Sequence, residues 1–159
     1  MNRAELKIYA YGGDALTAPA DTETAFLAAL GGGAAGLVCP VCLTRDGVAV
    51  CTGNTAIRQM DWDAVQQLDA GAEFRSVALG PDNRATGNFG KDCPWADRPK
   101  GAALRYPALE RTLIVFGRCC SLIVAIASYD EPTVTTVAEQ LKRCGLDSRV
   151  AILGDYKTC

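Results

Sequence analysis

Short apolar runs with the two-residue period of strands alternate along this chain with segments whose apolar residues recur at helical spacing. That alternation constrains the fold more than any other feature. A strand that passes through a helix before the next strand returns parallel to itself, so repeated βα units predict a parallel sheet flanked by helices. Residues 6–10 form the first expected strand, with Gly12-Gly13 as the turn after it. Asp21 or Thr22 can cap a helix whose apolar face holds Phe26, Leu27 and Leu30, and Gly31-Gly32-Gly33 stops it. Strands follow at 36–43 and 48–52, joined by a tight turn at Asp46-Gly47.

Asp61 is placed to cap the next helix, with Met60 and Val65 at the two positions of a hydrophobic staple and Gly71 at the end. From 79 to 102 the residues are mostly Gly, Pro, Asp, Asn and Arg without a sustained period, which predicts one long loop. Loops of that length in compact domains usually bind something or lie against something. Pro107 suits the first turn of a third helix, and a fourth strand is expected at 122–127, after Cys119-Cys120. Thr133 then opens a helix carrying Val134, Val137, Ala138 and Leu141, which Gly145 ends, and 150–153 is the fifth strand.

The 159 residues fit a single domain spanning 1–159, large enough to bury roughly two thirds of its unfolded surface. A net charge of -2 and no cluster of Lys or Arg argue against nucleic-acid binding. No apolar run reaches the roughly 18 residues of a membrane span, so no transmembrane segment is expected. Residues 1–7 lead straight into a strand-like stretch and leave no room for a secretory leader, which favours a soluble protein.

Eight cysteines are many, yet their spacing is not that of a small disulfide-stapled fold. Cys39, Cys42 and Cys51 lie in apolar strand patterns, where a thiol behaves as a small hydrophobe. Free thiols in a reducing compartment, cytoplasmic or inside an organelle, are the expectation. Cys39-Pro40-Val41-Cys42 is a CxxC, but in a strand its thiols lack the helix N-terminus that activates a redox pair. Zinc would need further thiolates from Cys51, Cys93, Cys119 or Cys120, without a second CxxC to supply them. Cys39 and Cys51, on adjacent strands with the same parity, are expected to be neighbours.

Several stretches in order carry a family likeness: Ile8-Tyr9-Ala10-Tyr11-Gly12-Gly13, Leu43-Thr44-Arg45-Asp46-Gly47-Val48-Ala49-Val50, Leu68-Asp69-Ala70-Gly71, Tyr106-Pro107-Ala108-Leu109 and Ser121-Leu122-Ile123-Val124-Ala125-Ile126-Ala127-Ser128. The chain resembles the glycerophosphodiester phosphodiesterases over nearly its whole length. The resemblance implies an α/β fold, an incomplete (β/α)8 barrel of about five parallel strands, because a full barrel takes about 250 residues. The family pattern has His-Arg-Gly at the first strand, Glu-x-Asp on the second, His-Asp after the third and Glu-x-Lys on the fourth. Here the matching positions read Tyr11-Gly12-Gly13, Val38-Cys39-Pro40, Thr52-Gly53 and Ala125-Ile126-Ala127, and the chain has no histidine.

The family's reaction implies a divalent metal on carboxylates, with histidines as acid and base. Val38, Pro40 and Ala125 offer no oxygen ligand, and Tyr11 and Thr52 do not normally titrate near neutral pH. The degenerate positions Tyr11, Gly12, Val38, Pro40, Thr52, Gly53, Ala125 and Ala127 therefore predict a protein without catalysis, metal or cofactor. Its expected role is structural: a subunit whose open sheet edges are covered by a protein partner or a second copy. Two alternatives stand beside it. One is a small-molecule module whose residual pocket uses Asn54, Tyr129, Asp130 and Asp155 at strand ends. The other is a cysteine-based redox or zinc protein.

Overall fold

The computed structural model describes residues 6–72, 74, 77–79, 85–89, 104–127 and 130–154. Its centre is β2 (Gly36–Leu43), whose run Gly-Leu-Val-Cys-Pro-Val-Cys-Leu is apolar on both faces. A strand with no polar face has to be covered on both sides, and every β2 residue except Leu43 is buried. Three strands bond to it. β1 (Tyr9–Tyr11) runs parallel along its first half, pairing Tyr9 with Gly36 and Tyr11 with Val38. On the other side β6 (Ser121–Ile126) runs parallel from Gly36↔Ser121 to Val41↔Ile126. β3 (Ala49–Cys51) returns antiparallel, with Val41 opposite Cys51 and Leu43 opposite Ala49. β7 (Ala151–Leu153) completes the order β1-β2-β6-β7 by pairing parallel with β6.

The sheet thus has the five strands expected, but they divide into four parallel βα strands and one hairpin strand. The Asp46-Gly47 turn is too short to carry a crossover, so β3 can return only antiparallel.

Pro40 sits in the middle of this central strand, where a missing N–H would ordinarily break a ladder. Gly12 N–H donates to the Val38 carbonyl on the β1 side, and Ala127 N–H donates to the Val41 carbonyl on the β6 side. Backbone groups alternate sides along a strand, so residue 40 faces the β1/β3 side. There β1 has ended at Tyr11 and β3 does not pair until Cys51 meets Val41. The proline therefore occupies the one gap in the ladder where no donor is required.

Three helices cover one face of the sheet: α1 (Glu23–Gly31), α3 (Leu109–Phe116) and α4 (Glu131–Arg143). Leu37, Cys39 and Val41 of β2 and Leu122, Val124 and Ile126 of β6 pack there with Phe26, Leu113, Phe116, Val137 and Leu141. Phe26 and Phe116 meet edge to face, centroids 5.7 Å apart, joining α1 to α3. A smaller cluster of Cys42, Val50, Ile57 and Val65 holds the hairpin and the short helices after it.

Several boundaries differ from expectation. β1 starts at Tyr9, leaving Leu6 and Ile8 exposed. Thr22 rather than Asp21 caps α1, accepting from Ala25 N–H, and Leu27 faces solvent. Asp61 precedes a single turn, α2 (Trp62–Val65), but its side chain pairs with Arg45 instead of capping. Asp46 takes over that task, its carboxylate accepting Trp62 N–H at 2.9 Å. Asp130 opens α4 and Pro132 lies in its first turn, ahead of Thr133. Of the loop expected at 79–102, residues 85–89 form β5 (Ala85–Phe89), paired antiparallel with β4 (Val77–Leu79), and the rest beyond residue 79 lies outside the described residues.

Gly36 shows how closely the central strands approach. A methyl group built on it would lie 2.2 Å from the Ser121 carbonyl oxygen and 2.8 Å from the Tyr9 ring. Replacing it forces β2 and β6 apart at the start of their ladder. Gly36→Ala is expected to lower stability by about 1–3 kcal/mol, read as a lower urea midpoint at unchanged slope.

Candidate functional site

The parallel strands β1, β2 and β6 end on one side of the sheet, and that is where the positions singled out in the sequence gather. Tyr11 lies beside Val38, and Pro40 beside Ala125. Gly12 and Ala127 each donate a backbone N–H to β2, at 2.9 Å in both cases. The hairpin brings its end to the same place: a methyl built on Gly53 would lie 3.9 Å from the Pro40 ring. Val38, Pro40, Thr52 and Ala125 are buried, whereas Tyr11 is exposed. The surface so formed is small and apolar.

One charged group interrupts it. Asp21 is the buried ionisable side chain of highest consequence among the described residues, 9 % exposed, on a backbone with φ of 62°. Its N–H donates to the Gly12 carbonyl at 2.8 Å, and its Oδ2 accepts Gly53 N–H at 2.9 Å. It therefore bridges the β1 turn and the hairpin end. Its Oδ1 is buried without a hydrogen-bond partner, and a methyl on Gly12 would lie 2.8 Å from it. Burial pushes the Asp21 carboxyl up to about 6, partly offset by the Gly53 N–H. In the sequence Asp21 read only as a rival cap to Thr22; the signal that separates them is the left-handed backbone, which an aspartate tolerates better than a threonine does.

The other pocket candidates are already engaged. Asn54 Oδ1 accepts Ala56 N–H at 3.1 Å and caps the 3-10 turn Thr55–Gln59. Asp130 Oδ1 accepts Thr133 N–H at 2.9 Å as the α4 cap, while its Oδ2 pairs with Arg58 at 2.6 Å. Thr52 Oγ1 accepts Asn54 N–H at 3.0 Å. Tyr129 and Asp155 lie outside the described residues.

The cysteines follow strand parity. Cys39 joins the helix-side core and Cys42 the smaller cluster on the other face, so the CxxC thiols point apart. Cys39 instead shares the helix-side core with Cys51, in keeping with the shared parity of the two strands. The neighbouring Cys51 thiol and burial push the Cys39 thiol far above its ordinary range. Cys51 in turn donates to Thr112 Oγ1 at 3.2 Å. The six described cysteines are unbridged. Among the described residues no three His, Cys, Asp or Glu side chains are grouped to hold a metal.

No family model matches the sequence, and no curated protein does. Solved structures do match. The glycerophosphoryl diester phosphodiesterase domain of a Mycobacterium tuberculosis protein superimposes with a TM-score of 0.69 at 24 % identity, over 92 % of this chain and 51 % of that one. A glycerophosphodiester phosphodiesterase from Agrobacterium tumefaciens gives 0.69 at 17 % identity, over 96 % of this chain and 59 % of the neighbour. The fold is that of the glycerophosphodiester phosphodiesterases. The chain spans about half the length of these neighbours. The four parallel strands among the described residues are likewise half of the eight that close a (β/α)8 barrel. On that phosphodiesterase scaffold the ends of β1, β2 and β6 form the C-terminal face, where such barrels place their chemistry.

Asp21 makes a testable demand on stability. The folded protein holds this proton more tightly than an unfolded chain, whose aspartate titrates near 3.9. Stability is therefore full at acid pH and falls as pH rises across roughly 4 to 6, by an amount on the order of 3 kcal/mol when the shift to about 6 is converted. Asp21→Asn keeps an oxygen for Gly53 N–H and removes the charge. It is expected to be more stable than the parent at pH 8 and to lose the pH 4–6 slope in thermal unfolding.

Proposed function

We propose that this protein is a non-catalytic relative of the glycerophosphodiester phosphodiesterases and serves as a structural or assembly subunit. The observation that carries the reading is the make-up of the strand ends. On the β2 and β6 ends, Val38, Pro40, Ala125 and Ala127 bear no oxygen, and the whole chain contains no histidine. A divalent cation of the kind used in phosphoryl transfer needs several hard oxygen ligands. The residues described there do not fit one: the Asp21 carboxylate beside Gly53 has one oxygen already committed to Gly53 N–H.

The assembly role rests on the edges of the sheet. Among the described residues, β1 and β7 each bond to a neighbour on one side only. Six of the exposed large apolar side chains belong to these two strands or their flanks: Leu6, Ile8, Tyr9, Tyr11, Ile152 and Leu153. Protected edges usually carry charge or proline, and such a concentration of apolar groups suits a protein contact. In this reading a different protein or a second copy of this chain lies against them.

A small-molecule-binding reading is favoured by one observation, the buried and incompletely paired Asp21 at the mouth. The redox or zinc reading loses its motif, because β2 places Cys39 and Cys42 on opposite faces.

Assay with a glycerophosphodiester and added magnesium, calcium or manganese is expected to show no turnover; metal-dependent hydrolysis that disappears on mutating a residue of this chain would overturn the reading. Hydrogen exchange is expected to be fast at β1 and β7 in the isolated chain and slow once a partner is bound. Slow exchange along both edges in a verified monomer would favour the binding module instead.

A further inference from the structure

A second cleft is lined by none of the degenerate strand-end positions. It is a cleft of about 650 Å³, bounded by the start of α1, by α2 and by the segment 104–108 that leads into α3. That size lies within the range of pockets that enclose small organic molecules. Its charged lining residues are Glu23, Arg105 and Arg111. Arg111 Nε bonds Glu23 Oε1 at 2.8 Å, so these two offset each other at the rim. Arg105 remains, and gives the cleft a local positive charge in a chain whose net charge is -2.

The geometry around Arg105 is fixed. Its Nη1 donates to the carbonyls of Gln67 and Leu68, at 2.9 and 2.7 Å, which orients the guanidinium plane. The segment that carries it is tied at both ends, by Ala70 N–H to the Leu104 carbonyl and by Cys51 N–H to the Pro107 carbonyl, each at 2.9 Å. Among the described residues, Nε and Nη2 of Arg105 have no acceptor. Trp62 contributes a broad ring to the wall, anchored through its backbone N–H on Asp46, and Thr24 and Gln66 add neutral polar groups. Spare donors at one place and a flat apolar wall at another describe a ligand with two parts.

We infer that this cleft binds a small ring compound bearing one anionic group, carboxylate or phosphate, with the anion on Arg105 and the ring against Trp62. The inference does not depend on the assembly role proposed above.

Nuclear magnetic resonance of the labelled chain tests it, with the Trp62 indole N–H signal identified by its loss in Trp62→Phe. Phenyl phosphate and benzoate are the probes, and inorganic phosphate is the ring-free control. At least one probe is expected to shift the Trp62 signal saturably with a Kd near or below about 1 mM, and inorganic phosphate to bind about tenfold more weakly or less. Which probe binds better identifies the anionic group. Arg105→Gln is expected to weaken binding about tenfold, and Arg105→Lys, which keeps the charge, to weaken it by a smaller factor. The inference is overturned if neither probe gives a saturable shift by about 10 mM, if inorganic phosphate binds as well as the ring compounds, or if folded Arg105→Gln binds like the parent.

Discussion

The burial of β2 on both faces is the constraint on which the rest depends. No other described strand bonds to three neighbours, and its apolar run leaves no face that water could cover. Helices α1, α3 and α4 are held in place because Leu37, Cys39 and Val41 demand a lid on their side. The hairpin and the short turns after it answer the same demand from Cys42 on the other. A single polar residue at Cys39 or Val41 would leave an unpaired group in the main core, at the cost typical of an unsatisfied buried donor.

That strand was also the most legible part of the sequence. Eight apolar residues bounded by Ala34-Ala35 and Thr44-Arg45-Asp46-Gly47 specify its limits, and the turn chemistry specifies the return. What the pattern could not reveal was direction, because period-two alternation is the same for parallel and antiparallel partners; only the length of the connection distinguishes β3 from the strands reached through helices. Short helices were harder still. Asp61 has every local property of a cap, yet an arginine sixteen positions earlier takes its carboxylate, and Asp46 serves the helix instead. Tertiary pairing overrode a local preference of comparable size.

At the candidate site the sequence located the strand ends and missed the charge among them. Tyr11, Val38, Pro40 and Ala125 could be placed by parity and order alone. Asp21 could not, because its importance comes from what the fold removes: water from Oδ1, and the capping role from its side chain. The cleft beside Trp62 was equally invisible. Trp62 and Arg105 are 43 positions apart, and their meeting depends on Asp69 and Leu104 joining two segments that share no periodic pattern.

The polar clasp at the hairpin bears on the order in which the chain assembles. Arg45 N–H reaches the Met60 carbonyl, Arg45 reaches Asp61, and Asp46 reaches Trp62, all across separations of about sixteen positions or fewer. Closing so short a loop costs little chain entropy, whereas joining β2 to β6 closes one of more than eighty residues. The segment from the end of β2 to α2 can thus organise as a local unit before the sheet exists. It would then present Val41 and Cys42 already aligned, a template on which the late-arriving sixth strand has only to settle.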